Sequence, residues 1–435
     1  MSDRWLHGWA VGYAAVGAAS LLVPLYVLAL GGSALVVGLV AASAALAGVP
    51  GALLWGRLAA RTRRRRPFLL VALAATAGVL LALPALGSPW VVLIANAALW
   101  FVVAAAAPVL NLIVVGGAPE SEWEARIARL NGVQSYGWVA GLVGGLAWTT
   151  VAPRVGVEPL LAQRLLFLVL GGTAALAFIV VRVWYPEPAT VTARRFEQVY
   201  RRLGAAGANA GRLLRTVPYG PTRAYWALRT LRPDRIRASL RRPIRRYLLA
   251  VTLYSVGFAV FWGPMPAFLR ERGFGDGTVF ALFLAGTLGS ALAYDRVGAL
   301  CRRVGNANAE TGALAARVIL FPVVGVVGAS VGAPVVGLLF AVIGVTWAII
   351  GVVATGLTSR LVTAPERAEA LGLYTALVGF GTGVGSALGG AAAGILGYRT
   401  TFAIAGVVVL VGLALAVTSG RGVPRATATG TGADD

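Results

Sequence analysis

Residues 67–115 read PFLLVALAATAGVLLALPALGSPWVVLIANAALWFVVAAAAPVLNLIVV and contain no charged side chain. A helix that crosses about 30 Å of hydrocarbon needs roughly 20 residues, so this stretch is long enough for two crossings. The whole chain of 435 residues is 58 % hydrophobic and 12 % charged, whereas a soluble domain usually has about 25 % charged residues. A soluble globular protein is therefore excluded. An intrinsically disordered chain is excluded as well, because so apolar a sequence does not stay solvated.

The same length criterion predicts twelve membrane-spanning helices, six on each side of a polar stretch. The sequence thus predicts an all-α membrane protein with twelve transmembrane helices in two pseudo-symmetric six-helix bundles. The predicted spans lie near 8–30, 35–56, 68–87, 90–115, 131–151 and 162–183, and then near 246–269, 278–295, 312–332, 334–357, 369–394 and 400–418.

The arginines predict how the helices are oriented. The chain has 38 basic and 16 acidic residues, a net charge of +22, and every Lys or Arg position is Arg. With a cytoplasmic N-terminus, the inner loops hold the basic run Arg63–Arg66 and most other loop arginines, whereas the outer loops hold few, such as Arg154 and Arg399. This is the positive-inside pattern. It predicts a multi-pass protein of the cell membrane with both termini in the cytoplasm.

Four segments follow from these spans: an N-terminal six-helix bundle over 1–183, a basic cytoplasmic linker over 184–245, a C-terminal bundle over 246–419 and a disordered cytoplasmic tail over 420–435. The linker mixes arginines with Tyr, Trp and Leu, which favours amphipathic helices lying on anionic membrane lipids. An RNA- or protein-binding segment is the alternative. We expect no nucleic-acid partner, because topology and lipid attraction already explain the positive charge.

Several kinds of chemistry are excluded by composition. A single cysteine, Cys301, and a single histidine, His7, exclude a disulfide framework and any metal site that needs several such ligands. A phosphate-binding loop with its lysine is impossible without lysine, and no cluster of acid, base and nucleophile stands at one depth. We therefore expect no enzyme activity, no cofactor and no bound metal.

An internal repeat relates the two halves. Ala118-Pro119-Glu120 precedes a span with glycines at 137, 141 and 145, and Ala364-Pro365-Glu366 precedes a span with glycines at 381, 385 and 389. The offset is 246 residues at the first feature and 244 at the second. Duplicated bundles of this kind are typical of transporters in which one bundle rocks against the other around a site at the membrane midplane.

The loop between spans two and three reads Gly56-Arg57-Leu58-Ala59-Ala60-Arg61-Thr62-Arg63-Arg64-Arg65. It resembles the signature loop of the major facilitator superfamily. Ala60 stands where that family has an acid, and Arg63 where it has a second glycine. The corresponding stretch of the second half keeps Asp295-Arg296 and Gly298. In the family this loop latches the cytoplasmic side, so the resemblance implies a gating role. Together with equivalent membrane-proximal positions of the repeat, the residues concerned are Gly56, Arg61, Arg64, Asp295, Arg296, Gly298, Glu120, Glu366 and Arg367.

The fifth span resembles the antiporter motif of the same family. Gly137, Gly141 and Gly145 are kept, and Leu142 stands where the motif has proline. Small residues at every fourth position let another helix approach closely. The resemblance implies export, and ordinary helix packing is the alternative; the arginine that many exporters carry in the fourth span is absent. The gating prediction accordingly includes Gly137, Gly141, Gly145, Gly381, Gly385 and Gly389.

Polar and aromatic residues inside the spans are the candidates for substrate binding, because polar groups are costly on a lipid-facing surface. An interfacial aromatic belt and ordinary interhelical hydrogen bonding are the alternatives. An uncharged cavity favours an apolar or neutral ligand. Arg317, the charge inside a span, is expected to extend to the lipid surface; the alternative is that it meets an anionic group. No acid is expected at mid-membrane depth. The candidates are Tyr13, Asn96, Trp100, Gln134, Tyr136, Tyr254, Phe258, Trp262 and Trp347.

The sequence therefore predicts a monomeric secondary active transporter that moves a small organic molecule by alternating access, with efflux slightly favoured over uptake. The alternative is a non-transporting membrane scaffold or sensor that acts through the basic linker. Deleting about 190–240 distinguishes the two, since a scaffold would lose its function. The identity of the substrate, the direction of transport and the coupling to protons or another ion are left open.

Overall fold

The computed structural model consists of long α-helices joined by short turns. It describes residues 4–61, 66–114, 119, 122–185, 242–328, 331–362 and 367–420. A short 3₁₀ turn, Leu83–Ala85, follows the third helix. Within the described ranges the α-helices are α1 (Arg4–Ala29), α2 (Ala34–Arg61), α3 (Arg66–Ala82), α4 (Pro89–Val114), α5 (Trp123–Arg154), α6 (Pro159–Trp184), α7 (Arg242–Trp262), α8 (Met265–Glu271), α9 (Asp276–Val304), α10 (Asn306–Val327), α11 (Ala333–Arg360) and α12 (Arg367–Gly420).

The lengths and apolar composition of these helices confirm an all-α membrane protein. Eight helices of the described part are long and apolar enough to cross a membrane, and Ala34–Gly48 and Pro89–Ala104 are shorter apolar segments. α12 contains a non-helical residue at Gly397, where φ is +77°, so it consists of two segments. If α7 and α8 count as one interrupted segment, the described helices give six segments before residues 186–241 and six after them.

Some predicted boundaries need correction. The tenth helix begins at Asn306 rather than near 312, and this places Glu310 inside it. The fifth helix extends over Trp123–Arg154, well beyond the predicted 131–151. Pro264 and Pro266 lie at the break between α7 and α8. Most of the predicted linker and the tail after 420 lie outside the described residues, so the division into four segments stays a prediction.

The two halves repeat the same helix pairings. α1 packs against α5 and α6, and its counterpart α7 packs against both segments of α12. The pairs α2–α4 and α3–α6 recur as α9–α11 and α10–α12. The repeat found in the sequence is therefore a repeat of packing as well.

Glycines allow the closest of these contacts. A Cβ atom at Gly141 of α5 would overlap the backbone oxygen of Ala14 in α1, and one at Gly385 of α12 would overlap that of Val256 in α7. Small residues thus bring backbones together at equivalent places in both halves.

The halves meet through two equivalent helix pairs, α2 with α12 and α5 with α9. We call one end of the bundle the turn end, since it carries the turns at 30–33, 155–158 and 272–275. The other end, where α2 and α6 end and α3 and α7 begin, is the linker end. A Cβ at Gly390 would meet Gly38, and one at Gly145 would overlap the ring of Phe280. Both contacts lie toward the turn end.

Candidate functional site

A polar contact joins the halves at the turn end. The side-chain amide Nε2 of Gln163, in the first turns of α6, donates a hydrogen bond of 2.6 Å to Oδ2 of Asp276, the first residue of α9. Nη1 of Arg270 lies 3.2 Å from Oδ1 of the same carboxylate. Gln163 is buried, and hydrogen bonds to a charged partner are stronger than neutral ones. This contact therefore holds the two halves together where they meet.

Three aromatic residues cluster inside the first half. The ring of Trp138 on α5 lies 6.0 Å from that of Tyr13 on α1 and 6.5 Å from that of Trp100 on α4. All three side chains are buried. The structure thus brings the predicted candidates Tyr13 and Trp100 together through Trp138, which follows Gly137 in the glycine-rich motif and is not among the predicted candidates. We call this group the Trp138 cluster.

Asn96 has a different environment. Its buried Nδ2 donates hydrogen bonds to the backbone oxygen of Val40 (3.0 Å) and to Oγ of Ser43 (3.1 Å), both on α2. These are interhelical bonds of the kind that stabilise membrane helix pairs. The structure therefore assigns Asn96 to the contact between α4 and α2, which was the alternative interpretation of this residue.

Gln134 and Tyr136 are not brought into the Trp138 cluster. Gln134 is partly buried, and Tyr136 is 78 % exposed. Tyr136 belongs to an exposed stripe of α5 that continues through Ala140, Val143 and Ala147. This stripe therefore lies on the face of α5 that contacts no other described helix closely.

A second aromatic group surrounds a cation in the other half. The rings of Tyr254 and Phe258 on α7 stack with centroids 5.3 Å apart, and Phe258 lies 6.3 Å from Trp347 on α11. The guanidinium carbon of Arg317 on α10 lies 4.0 Å from the centroid of Phe258, 5.3 Å from Trp347 and 5.8 Å from Phe321. We call these five residues, with Arg317 at their centre, the Arg317 cluster.

Arg317 is fully buried, so the expectation that it extends to the lipid surface is wrong. Its Nε donates to Oγ1 of Thr346 (2.9 Å) and its Nη2 donates to the backbone oxygen of Ile343 (3.2 Å). The aromatic faces supply further cation–π attraction, which increases in the absence of water. These contacts on α7 and α11 offset part of the cost of burying the charge and hold the side chain inside the bundle.

A buried carboxylate lies on the same helix. Oε1 of Glu310 accepts hydrogen bonds from the hydroxyls of Tyr247 (2.7 Å) and Tyr254 (3.5 Å), and Glu310 is 3 % exposed. Glu310 and Arg317 are seven residues apart, which puts them on one face of α10 at about 10 Å along its axis. Tyr254 connects them, because its hydroxyl contacts Glu310 and its ring stacks on the phenylalanine beneath Arg317.

Sequence reasoning missed this pair, although a signal was present. The predicted ninth span begins near 312, so Glu310 falls outside it. Glu310 and Arg317 are two helical turns apart in the first part of an apolar helix, and this spacing indicates that both side chains lie on the face that points into the bundle. The physical burial of both groups needs partners on α7 and α11 that are distant in sequence.

Trp262 lies apart from the Arg317 cluster. Its ring contacts Phe283 (5.4 Å) on α9 and Phe340 (5.2 Å, edge to face) on α11. This group lies closer to the turn end, beside the break between α7 and α8. Of the predicted candidates in the second half, Tyr254, Phe258 and Trp347 are therefore brought together, and Trp262 belongs to a neighbouring aromatic group.

Comparison with known protein families shows the family of the chain. The family described as Major Facilitator Superfamily matches residues 8–364, most of the chain. The chain belongs to the major facilitator superfamily. Members of this superfamily are membrane transporters, in agreement with the apolar helices and the repeated packing of the two halves. Comparison with curated protein sequences finds no match.

Solved structures of the superfamily share the fold at low sequence identity. A point mutant of the nucleoside transporter NupG superposes with a TM-score of 0.70 at 13 % identity, over 96 % of this chain and 98 % of that one. A bacterial homolog of the human lysosomal transporter Spinster, inward-facing and unoccupied, gives 0.69 at 12 %, over 97 % and 98 %. The human organic anion transporter MFSD10 gives 0.56 at 17 %, over 95 % and 98 %.

The residues matched to the signature loops of the superfamily lie toward the linker end. Asp295, Arg296 and Gly298 are exposed near the end of α9, and Nη1 of Arg296 donates to the backbone oxygen of Leu292 (2.8 Å). Gly56 and Arg61 lie in α2 and Arg367 begins α12. The side chains of Arg61 and Arg367, together with Arg64, Glu120 and Glu366, lie outside the described residues.

Proposed function

We propose that the protein is a secondary active transporter that exports a small organic molecule by alternating access. The observation that supports this proposal is the repetition of the same helix packing in two halves, with the contacts between them gathered toward one end. In such an arrangement the halves can separate at one end while they close at the other, around a central site.

The proposal includes an orientation. We assign the linker end to the cytoplasm of the cell, because the arginine-rich loops and the linker belong to it. The turn end then faces outward, and the contact between Gln163 and Asp276 closes it. The basic linker would contact anionic lipids on the cytoplasmic side.

The resemblance of the glycine-rich face of α5 to the antiporter motif favours export over uptake, and the contacts of this face support movement of the helix. Gly137 and Gly141 lie against α1 of the same half, whereas Gly145 lies against Phe280 of the other half. One face of α5 therefore contacts α1 of its own half and, further along, α9 of the other half. Movement of α5 against α1 and α9 is the motion that an alternating-access cycle requires.

Reconstitution tests the proposal. The purified protein is placed in sealed liposomes, and flux is measured across a panel of organic compounds, with and without an imposed pH gradient. We expect saturable flux of at least one compound that empty liposomes do not show.

A second experiment tests the mechanism. In a Cys301→Ser background, Gln163→Cys and Asp276→Cys are joined by a short, reducible thiol cross-linker.

Alternating access predicts that cross-linking the turn end abolishes flux and that reduction restores it. Each single-cysteine variant treated in the same way is the matched control, and the cross-linker should not change its flux. Flux that continues when the two halves are demonstrably joined would contradict alternating access. If no compound crosses the membrane in any state, the transport proposal itself is wrong.

A further inference from the structure

We propose that Arg317 binds the anionic group of the transported molecule, so that the substrate is a small organic anion with an apolar body. The inference rests on the proposed transport function and names the substrate class for it. It replaces the sequence-based expectation of an apolar or neutral ligand and develops the alternative that Arg317 meets an anionic group.

The first argument is that one hydrogen-bond donor of Arg317 has no acceptor. Its Nε and Nη2 donate to α11, but its buried Nη1 has no hydrogen-bond partner. Among the described residues, no carboxylate lies within ion-pair distance of the guanidinium. Buried polar groups are nearly always satisfied in folded proteins. A buried cation with an open donor therefore indicates a partner that comes from outside the chain.

The second argument is an asymmetry between the halves. An offset of 247 residues relates Trp100 to Trp347 and an offset of 245 relates Tyr13 to Phe258, so the Trp138 and Arg317 clusters draw on corresponding helices of the two halves. The latter offset places Ala72 of α3 opposite Arg317, and α3 contains no charge near it. Since the first half packs in the same way without a cation, the fold does not require Arg317.

The third argument concerns the shape of the ligand. A guanidinium presents its donors in a plane that matches a carboxylate, and such a bond is strong when water is absent. Trp347 is only partly buried, and it covers the guanidinium together with Phe258. An anion that reaches Nη1 would therefore pass along aromatic side chains. These would contact an apolar body, as is usual in small-molecule sites.

Matched pairs of ligands test the inference on the full-length protein. The probes are 2-naphthoate and indole-3-acetate, each compared with its neutral carboxamide, and binding is measured by thermal stabilisation in detergent. We expect both carboxylates to bind about ten- to hundredfold more tightly than their amides, as a hydrogen bond to a charged group predicts. Arg317→Met should abolish this preference, and Arg317→Lys should reduce it without removing it. Arg399→Met, at an exposed position, is the control and should retain it.

Every outcome of this experiment either supports or contradicts the proposal that Arg317 binds an organic anion. The inference is overturned if neither carboxylate is preferred by the unmodified protein, a result that does not depend on any variant folding. It is also overturned if Arg317→Met is folded and keeps the preference. Flux of the amides at the rate of the acids would leave the transport function standing and remove the anion site. Arg317-dependent binding without any flux would support the site and contradict the transport function.

Discussion

Gln163 and Asp276 connect the two halves of the molecule through a hydrogen bond of 2.6 Å between Nε2 and Oδ2. The two residues lie at the beginning of α6 and α9, and Arg270 of the second half approaches the same carboxylate. The contact thus crosses the seam at the turn end, near the places where α2 meets α12 and α5 meets α9. In an alternating-access cycle it has to break each time the turn end opens.

Asp276→Asn should therefore shift the protein toward a conformation that is open at the turn end. The lost charge weakens a hydrogen bond that contributes about 1.5–3 kcal/mol, which corresponds to a ten- to hundredfold change in the equilibrium. Distances between spin labels at the turn end measure this shift. Glu271→Gln is the control, because Glu271 accepts a hydrogen bond from Tyr398 within its own half. Equal distance distributions in Asp276→Asn and the unmodified protein would show that the contact has no gating role.

Gly141→Ala should destabilise the protein, because the added Cβ would overlap the backbone oxygen of Ala14. Overpacking of a tight contact typically costs about 1–3 kcal/mol. Gly144→Ala is a matched control on the same helix, since nothing lies within 4 Å of its Cβ position. Thermal unfolding in detergent compares the two variants. If both variants unfold at the same temperature, the α5–α1 contact is looser than the structure indicates.

The structural class could be predicted from the sequence, whereas the face that each helix turns toward the interior of the bundle could not. Residues 67–115 already require membrane-spanning helices. Gly137 and Gly141 of α5 lie against α1 as Gly381 and Gly385 of α12 lie against α7. A helix that is apolar on nearly every side gives no periodicity from which its inward face can be read. For this reason Tyr136 was grouped with Tyr13, although the structure places it on an exposed stripe.

Charges inside the bundle were the hardest feature to predict. Whether an arginine in a membrane helix extends to the lipid surface or turns inward depends on what its neighbours can offer. For Arg317 those neighbours are Phe258, Thr346 and Trp347, which come from two other helices. No local sequence signal reports contacts between helices that are so far apart along the chain.

Asn96→Leu should lower stability and leave substrate affinity unchanged. Its Nδ2 is used in bonds to Val40 and Ser43 on α2, and such interhelical bonds in membranes contribute about 0.6–1.7 kcal/mol. Ser43→Ala removes one of the two acceptors and should cost less than Asn96→Leu. Thermal unfolding gives the loss of stability, and binding of 2-naphthoate gives the affinity. A tenfold weaker binding in folded Asn96→Leu would assign this residue to the substrate site after all.

Glu310→Gln should strengthen the binding of an organic anion at Arg317. The amide can still accept hydrogen bonds from Tyr247 and Tyr254, but it removes a negative charge that lies about 10 Å along the helix from Arg317. At an effective dielectric constant of about 20, the repulsion between that charge and a bound anion amounts to roughly 2 kcal/mol. The affinity for 2-naphthoate should then rise by up to about tenfold, while the affinity for the neutral amide stays constant. Tyr247→Phe, which removes a hydrogen bond and keeps the charge, should not raise the affinity. Weaker anion binding in folded Glu310→Gln would mean that Glu310 supports the site through its charge rather than opposing the ligand.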